Sequence, residues 1–162
     1  HQLKPAMVIN THGHYDHIGC DDEFGVPVCV HKKDLPMLLD PRKNLSASFA
    51  LAYKVSSPVK PLADKETVSL DGLELEVIHL PGHTPGGIGL LMKKPQTDIV
   101  FTGDTLFFQG VGRWDLPGGS QRELEEAIRQ RLFTLPLATK VYPGHGSSTT
   151  IGREKNSSPF RL

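Results

Sequence analysis

Four side chains that commonly bind metal ions lie within six residues near the start of the chain. Residues 11–17 read T-H-x-H-x-D-H. On an extended segment, His12 and His14 project to the same side, so their imidazoles can bind one cation. Asp16 and His17 follow where the chain bends away, which lets them reach a second cation close by. The spacing therefore indicates a site for two metal ions.

Three further candidate ligands follow predicted strands later in the chain. His83 lies in a Pro/Gly turn after the alternating apolar run 73–80. Asp104 comes just past a short apolar run, and His145 lies in P-G-H-G after residues 140–142. Each predicted strand thus ends in a glycine-containing turn that carries one histidine or aspartate. Loops at the ends of rigid strands are suited to hold metal ligands in fixed positions.

The four motifs, in their order along the chain, resemble those of the metallo-β-lactamase-fold hydrolases. They read H-x-H-x-D-H, P-G-H-T-x-G, G-D and P-G-H-G. Within that superfamily the sequence is most similar to the short, single-domain relatives of glyoxalase II, the hydroxyacylglutathione hydrolase. The similarity runs from Pro5 to the end and includes G-R-W-D at 112–115. It implies a layered α/β fold, the αββα sandwich, formed as one domain by residues 1–162.

The resemblance also implies which metal each side chain binds. Seven ligands are expected: His12, His14 and His83 for the first metal, Asp16, His17 and His145 for the second, and Asp104 as the bridge. The expected cofactor is two divalent ions, zinc first, with iron or manganese as alternatives. A hydroxide shared by the ions would attack an acyl thioester of the hydroxyacylglutathione type, because zinc can lower the pKa of a bound water to about 7. Asp16 and Asp104 are the carboxylates expected to take part in catalysis.

Arg113 falls where the matching glyoxalase II loop carries a cation that contacts glutathione. It is therefore a candidate substrate-binding residue. The tyrosine expected two residues later is replaced by Asp115, and the one expected soon after His145 is also missing. An ion pair between Arg113 and Asp115 that braces the loop is an equally good interpretation.

Two other interpretations of the chain stay open. Persulfide dioxygenases carry the same motifs and bind one iron with residues that match His12, His83 and Asp104, so a mononuclear iron oxygenase is one alternative. The other is a non-catalytic fragment that binds metal. Family members have several strands before the first motif, whereas this chain has room for only one, at 6–10. We therefore expect the N-terminal part of the domain to be missing.

The candidate ligands must be positioned by strands that alternate with helices. An Asp-Gly dipeptide between the alternating segments 66–70 and 73–80 predicts a β-hairpin. Ser120 and Glu123 form a capping-box pattern in front of an amphipathic helix at 121–133. The other predicted elements are strands at 6–10, 27–30, 87–92, 98–101 and 140–142, helices at 17–24, 32–40 and 150–156, a helix or loop over the site at 44–55, and a long glycine-rich loop at 106–120.

Composition limits the classes of partner. The 162 residues are enough for one domain, and 18 Lys and Arg balance 18 Asp and Glu. With no net charge, no overall field favours nucleic acid or an anionic membrane. No apolar run is long enough to span a bilayer, and no signal-peptide pattern opens the chain. The expected partner is a small-molecule thioester and the expected location is the cytoplasm, while the oligomeric state is left open.

Overall fold

The computed structural model of the protein describes residues 4–157, so the outer ends of the predicted domain, 1–3 and 158–162, lie outside it. The strands are β1 (Val8–Ile9), β2 (Val28–His31), β3 (Val59–Leu62), β4 (Thr67–Leu70), β5 (Leu73–His79), β6 (Ile88–Lys94), β7 (Ile99–Gly103), β8 (Leu106–Phe107), β9 (Gly110–Val111), β10 (Lys140–Pro143) and β11 (Thr149–Thr150). The helices are α1 (Tyr15–Ile18), α2 (Leu35–Leu39), α3 (Gln121–Ala127) and α4 (Ile151–Ser157). Within the described range, no helix is long and apolar enough to cross a membrane.

The strands form two main sheets and a small hairpin. The larger sheet has the order β11-β10-β7-β6-β5-β4, and the smaller has the order β1-β2-β3. All pairs in the smaller sheet are parallel. In the larger sheet only β10 and β7 are parallel. The D-G hairpin is confirmed, because β4 and β5 pair antiparallel with Leu70 opposite Leu73.

Three core clusters separate four layers of secondary structure. The first lies between the larger sheet and α3 and contains Ile78 and Leu124. The second lies between the two sheets and contains Val77 and Cys29. The third lies on the outer face of the smaller sheet, where Leu38 of α2 packs. Successive strand residues enter different clusters because they point to opposite faces. The order helix, sheet, sheet, helix confirms the predicted αββα fold class.

The capped end of α3 is tied to the turn that carries His83. The Ser120 hydroxyl accepts a hydrogen bond from the Glu123 N–H (3.3 Å), as the capping pattern predicts. The Ser120 N–H donates to the carbonyl of Gly82 (2.8 Å), which directly precedes the candidate ligand. The predicted helix at 121–133 is present, although its last part, Ile128–Leu132, is a π-helical turn. The cap therefore helps to position a site residue.

The structure contains strands that the sequence did not predict. β3 includes Pro61, which cannot donate a hydrogen bond to a sheet, and Lys60 and Pro61 are both exposed. Pro61 is tolerated because β3 is an edge strand, paired only with β2 among the described residues. The predicted loop at 106–120 also contains the short hairpin of β8 and β9. In residues 44–55 the structure has one 3₁₀ turn, Ser46–Phe49.

Candidate metal centre

The T-H-x-H-x-D-H motif begins at the end of β1. The segment that carries His12 and His14 is fixed to β6, because the Ile88 N–H donates to the carbonyl of Thr11 (2.8 Å). Helix α1 then begins at Tyr15 and carries the other two candidate ligands of the motif. The change from extended chain to helix separates the two pairs of ligands, as the spacing predicts.

The first cluster of candidate ligands consists of His12, His14 and His83. One nitrogen of each lies within 4.8 Å of the others, so the three can bind a single ion. His14 Nδ1 and His83 Nε2 are 2.9 Å apart. All three side chains are buried. The turn predicted to deliver His83 therefore brings it to residues almost 70 positions earlier in the chain.

The orientation of the His83 ring is set by the backbone of the glycine-rich loop. His83 Nδ1 lies 2.7 Å from the carbonyl oxygen of Arg113, which can only accept a hydrogen bond. Nδ1 therefore carries the proton, and Nε2 is left with a lone pair that points into the cluster. A carbonyl that fixes the tautomer in this way is a common support for a histidine ligand.

The second cluster consists of Asp16, His17 and His145 together with Asp104. His145 Nε2 lies 3.2 Å from Asp16 Oδ2 and 3.2 Å from His17 Nε2. The His17, Asp104 and His145 ligand atoms satisfy the same 4.8 Å limit as the first cluster, as do those of His12, Asp16 and His17. The side chains of Asp16 and His145 are more than half exposed. This cluster is thus the part of the site that opens to solvent.

Asp104 lies between the two clusters. Its Oδ1 is 3.5 Å from His17 Nε2, and its Oδ2 is 3.7 Å from His83 Nε2 and 3.5 Å from His145 Nε2. The close approach of the β10 loop depends on Gly144, because a Cβ there would overlap Asp104 Oδ1 and come within 2.8 Å of His17 Cε1. The carboxylate thus contacts histidines of both clusters, which is the arrangement expected of a bridging ligand.

The donor set fits divalent metal ions. His12 Nε2 and Asp104 Oδ1 are buried and have no hydrogen-bond partner in the part of the chain that the structure describes. Five imidazoles and two carboxylates converge, whereas a buried polar atom normally has a partner. Nitrogen and carboxylate oxygen are the donors that zinc and iron accept. Within residues 4–157, every group of candidate ligands is made up only of the seven predicted residues.

Burial keeps His12 and His14 of the first cluster neutral. It holds the pKa of His12 well below its usual range, and repulsion from the neighbouring imidazoles acts in the same direction. Burial also lowers the pKa of His14 to about 4, with a further contribution from His83. Neutral imidazoles are the form that binds a metal. Both side chains are therefore ready to donate a lone pair at neutral pH.

In the second cluster, interactions between carboxylates and imidazoles favour the charged forms of His17 and Asp104. Burial by itself lowers the pKa of His17, but Asp104 and Asp16 outweigh it, so the net shift is upward. Burial tends to raise the pKa of Asp104, but the imidazoles of His17, His83 and His145 outweigh it and lower the pKa. Asp104 is therefore ionised at neutral pH and supplies the negative charge that a pair of cations requires.

A cleft of about 250 Å³ opens beside the two clusters. It is lined by His14, Tyr15, Asp16, Asn44, Leu45, Phe49, His83, Asp104, Arg113 and Leu116. The apolar wall includes residues of 44–49, a segment whose lack of periodicity gave no sign of which side chains face the site. Trp114, in the glycine-rich loop, packs instead against the core beneath α3.

Arg113 is paired with Asp115. Its Nε and Nη2 each lie 2.7 Å from a different oxygen of that carboxylate. Both side chains are mostly exposed. The ion pair agrees with the loop-brace interpretation, while the presence of Arg113 in the cleft wall keeps the substrate-binding interpretation open.

Comparison with known proteins gives a consistent result. Residues 2–145 match the model of the family described as the metallo-beta-lactamase superfamily. The chain is similar to hydroxyacylglutathione hydrolase GloC of Haemophilus influenzae, with 37% identity over 98% of this chain and 76% of that protein. The chain is also similar to two crystal structures, BLEG-1 B3 metallo-beta-lactamase (TM-score 0.87, 36% identity) and TTHA1623 in a di-iron-bound form (TM-score 0.82, 38% identity). Each match covers 98% of this chain and 78% of the chain in the crystal structure.

Proposed function

This chain belongs to the metallo-β-lactamase superfamily, and from that premise we propose that it is a dinuclear metal hydrolase that cleaves acyl thioesters of the hydroxyacylglutathione type. A metal-dependent hydrolase is what its family membership and its ligand cluster together indicate. The observation that carries the proposal is the position of Asp104, whose carboxylate lies within 3.7 Å of His83 in the first cluster and within 3.5 Å of His17 and His145 in the second. A bridging carboxylate is needed only where two ions share one site.

The seven predicted ligands are assigned to the two ions as follows. His12, His14 and His83 hold the first, Asp16, His17 and His145 hold the second, and Asp104 contacts both. Divalent ions held there would lower the pKa of a bound water to about 7 and polarise an acyl carbonyl. The two aspartates supply the negative charge, and burial keeps His12 and His14 neutral. No side-chain nucleophile is required.

The cleft supports a thioester with a small acyl group. Its walls combine apolar side chains, Leu45, Phe49 and Leu116, with the ligands Asp16 and Asp104. A substrate placed there has its reacting carbonyl beside the ligands and its remaining part towards Arg113 and solvent. The similarity to GloC favours a hydroxyacylglutathione among the possible thioesters.

The proposal is tested with the zinc-loaded protein and three probes: a hydroxyacylglutathione thioester, the matching oxygen ester and a β-lactam. We expect two zinc ions per chain and turnover that is fastest with the thioester and is lost in Asp104→Ala. Hydrolysis of the β-lactam without the thioester would contradict the substrate assignment. Metal binding without turnover of any probe would favour the non-catalytic alternative.

A second candidate, a mononuclear iron oxygenase, is favoured by one subset of the same residues. His12 and His83 lie in one candidate ligand group, and Asp104 Oδ2 lies 3.7 Å from His83 Nε2. Two histidines and one carboxylate are the ligand set typical of non-haem iron oxygenases. Elemental analysis of the purified protein and oxygen consumption with a persulfide separate the two. One tightly bound iron with persulfide-dependent oxygen uptake would favour the oxygenase, and two ions without oxygen uptake would favour the hydrolase.

A further inference from the structure

We propose that Asp34 is a positioning residue that clamps together the two loops carrying the histidines of the first metal site. Its side chain is fully buried at the start of α2 and accepts three hydrogen bonds. The donors are the Gly13 N–H (3.1 Å), the Thr84 hydroxyl (2.7 Å) and the Gly86 N–H (2.6 Å). The inference rests on the proposed ligand assignment.

The three donors belong to the two ligand loops, and two of them are next to a ligand in the sequence. Gly13 lies between His12 and His14, and Thr84 immediately follows His83. The carboxylate thereby joins segments about 70 residues apart at the point where His14 Nδ1 and His83 Nε2 are 2.9 Å apart. A change in the distance between the loops would alter the spacing of these two nitrogens. The clamp therefore acts most directly on the first site.

The carboxylate is not used by its own helix. Aspartate before a helix usually caps it by accepting a hydrogen bond from the first turn. Asp34 occupies the N-cap position of α2 but makes no such side-chain bond. Both of its oxygens are instead directed at the ligand loops, since Oδ2 accepts from Gly13 and Thr84 and Oδ1 accepts from Gly86.

The loop that carries His83 also packs closely against Asp34 at Gly86. A Cβ at position 86 would lie 2.6 Å from both the backbone nitrogen and Oδ1 of Asp34. Only glycine lets the backbone come close enough for the short bond between Gly86 N and Asp34 Oδ1. Thr84 is fully buried beside it, so its hydroxyl has little access to water as a substitute partner.

An isosteric amide tests the clamp, because asparagine cannot accept on both sides. In Asp34→Asn one oxygen becomes an NH₂ group, which faces either the Gly13 N–H or the Gly86 N–H. One loop is therefore released while the volume is unchanged. We expect the affinity of the first zinc ion to fall by roughly 10–100-fold, the range typical when a residue that supports a ligand is lost. Competition with a chelator measures it.

Two sets of variants make the result specific. Glu154 is also buried and accepts from a threonine hydroxyl, of Thr149, and from a backbone N–H, of Gln109. Glu154→Gln should lower the melting temperature of the metal-free protein while leaving the first-site affinity unchanged. Thr84→Val should weaken first-site zinc binding, and Thr84→Ser, which keeps the hydroxyl, should restore it.

The outcomes separate this inference from the proposed function. Two-zinc binding by the wild type tests the ligand assignment, and the ratio of first-site affinities between variant and wild type tests the clamp. If Asp34→Asn or Thr84→Val melts earlier but binds the first zinc as tightly as the wild type, Asp34 has only a structural role and the proposal is wrong. If Asp34→Asn fails to fold, the pair of Thr84 variants decides.

Discussion

At the scale of single residues, the site is a balance between burial and charge. The buried His12 and His14 have lowered pKa values, whereas His17 has a raised pKa because Asp104 and Asp16 lie beside it. The same side chains would repel one another if all were protonated. A bound cation avoids this repulsion, because the imidazoles stay neutral and one ion, bound to their nitrogens and to the carboxylate oxygens, takes the place of several protons.

Asp104→Ala should be the most damaging single ligand change, because the Asp104 carboxylate lies within 3.7 Å of His83 in the first cluster and of His17 and His145 in the second. Without its charge, two cations would face each other with less negative charge between them. We expect the affinity for the second ion to fall by more than roughly 10–100-fold, which is the range typical when a residue that only supports a ligand is lost. Zinc titration with elemental analysis measures this, with Asp98→Ala, an exposed carboxyl just before β7, as the control. Retention of both ions would show that Asp104 is not the bridge.

The pairing of Arg113 with Asp115 leads to a prediction about specificity. If Arg113 binds a remote carboxylate of the substrate, Arg113→Ala should raise KM for anionic thioesters more than it lowers kcat. Asp115→Asn should lower that KM, because it removes the anion that now occupies Nε and Nη2 of the guanidinium group. A matched neutral thioester should be nearly unaffected by either change. Equal losses of kcat for both substrates in both variants would instead identify a loop brace.

Asp21 should make stability depend on pH. Burial raises its pKa to about 6, although the hydrogen bond from Asn10 opposes the shift. The folded state therefore binds this proton more tightly than the unfolded state. The resulting stability is fully present below about pH 4 and is lost as the pH rises through about 6.

Asp21→Asn removes this titration. The free energy of unfolding of the variant minus that of the wild type should rise from pH 4 to pH 7 by at most about 3 kcal/mol. One unit of pKa shift corresponds to about 1.4 kcal/mol. Urea unfolding of the metal-free protein at both pH values measures the difference. The exposed Asp98→Asn is the control, and an equal pH effect in both variants would contradict the assignment.

At the scale of elements, each of the four segments that carry ligands follows the end of a strand. β1 leads to the first motif, β5 precedes the turn with His83, β7 precedes Asp104, and β10 precedes His145. β5, β6, β7 and β10 are neighbours in one sheet, so their ends are held at fixed spacing. Side chains on such ends are better fixed than side chains on free loops.

The β10 loop supplies the prediction at this scale. Gly144→Ala should push the loop with His145 away, because the added methyl group meets Asp104 Oδ1 and His17 Cε1. We expect weaker binding of the second ion with little change in the first-site affinity. Gly110→Ala is a matched control, since a Cβ there meets nothing within 4 Å. If both variants bind the second ion like the wild type, the close contact has no role in the site.

At the scale of the whole molecule, metal binding should be linked to folding. The seven candidate ligands come from four separate segments, so an ion that binds them stabilises only the folded chain. An ion at 100 times its dissociation constant adds about 2.7 kcal/mol, or roughly 5–10 °C in melting temperature for a domain of this size. Thermal unfolding with zinc and with a chelator measures the shift. Magnesium is the control, because it prefers oxygen ligands; an equal shift with magnesium would contradict a nitrogen-rich site.

The sequence by itself determined the features that are encoded in adjacent residues. The spacing of His12, His14, Asp16 and His17 predicts the ligand motif, an Asp-Gly pair predicts the β4–β5 turn, and Ser120 predicts the start of α3. These patterns depend on the periods of strand and helix and on local capping, so they can be read without knowing where the chain goes next.

Only the tertiary structure decided the features that depend on contacts between distant segments. β3 forms because β2, whose paired residues lie 31 positions earlier, gives its backbone hydrogen-bond partners, although Pro61 disfavours a strand. Phe49 joins the cleft wall through the path of an aperiodic segment. Asp34 lies within the predicted helix 32–40, a position that gives no sign of its contacts with Gly13 and Thr84, which are 21 and 50 residues away. Such contacts are set by how the layers pack, and no local pattern records that packing.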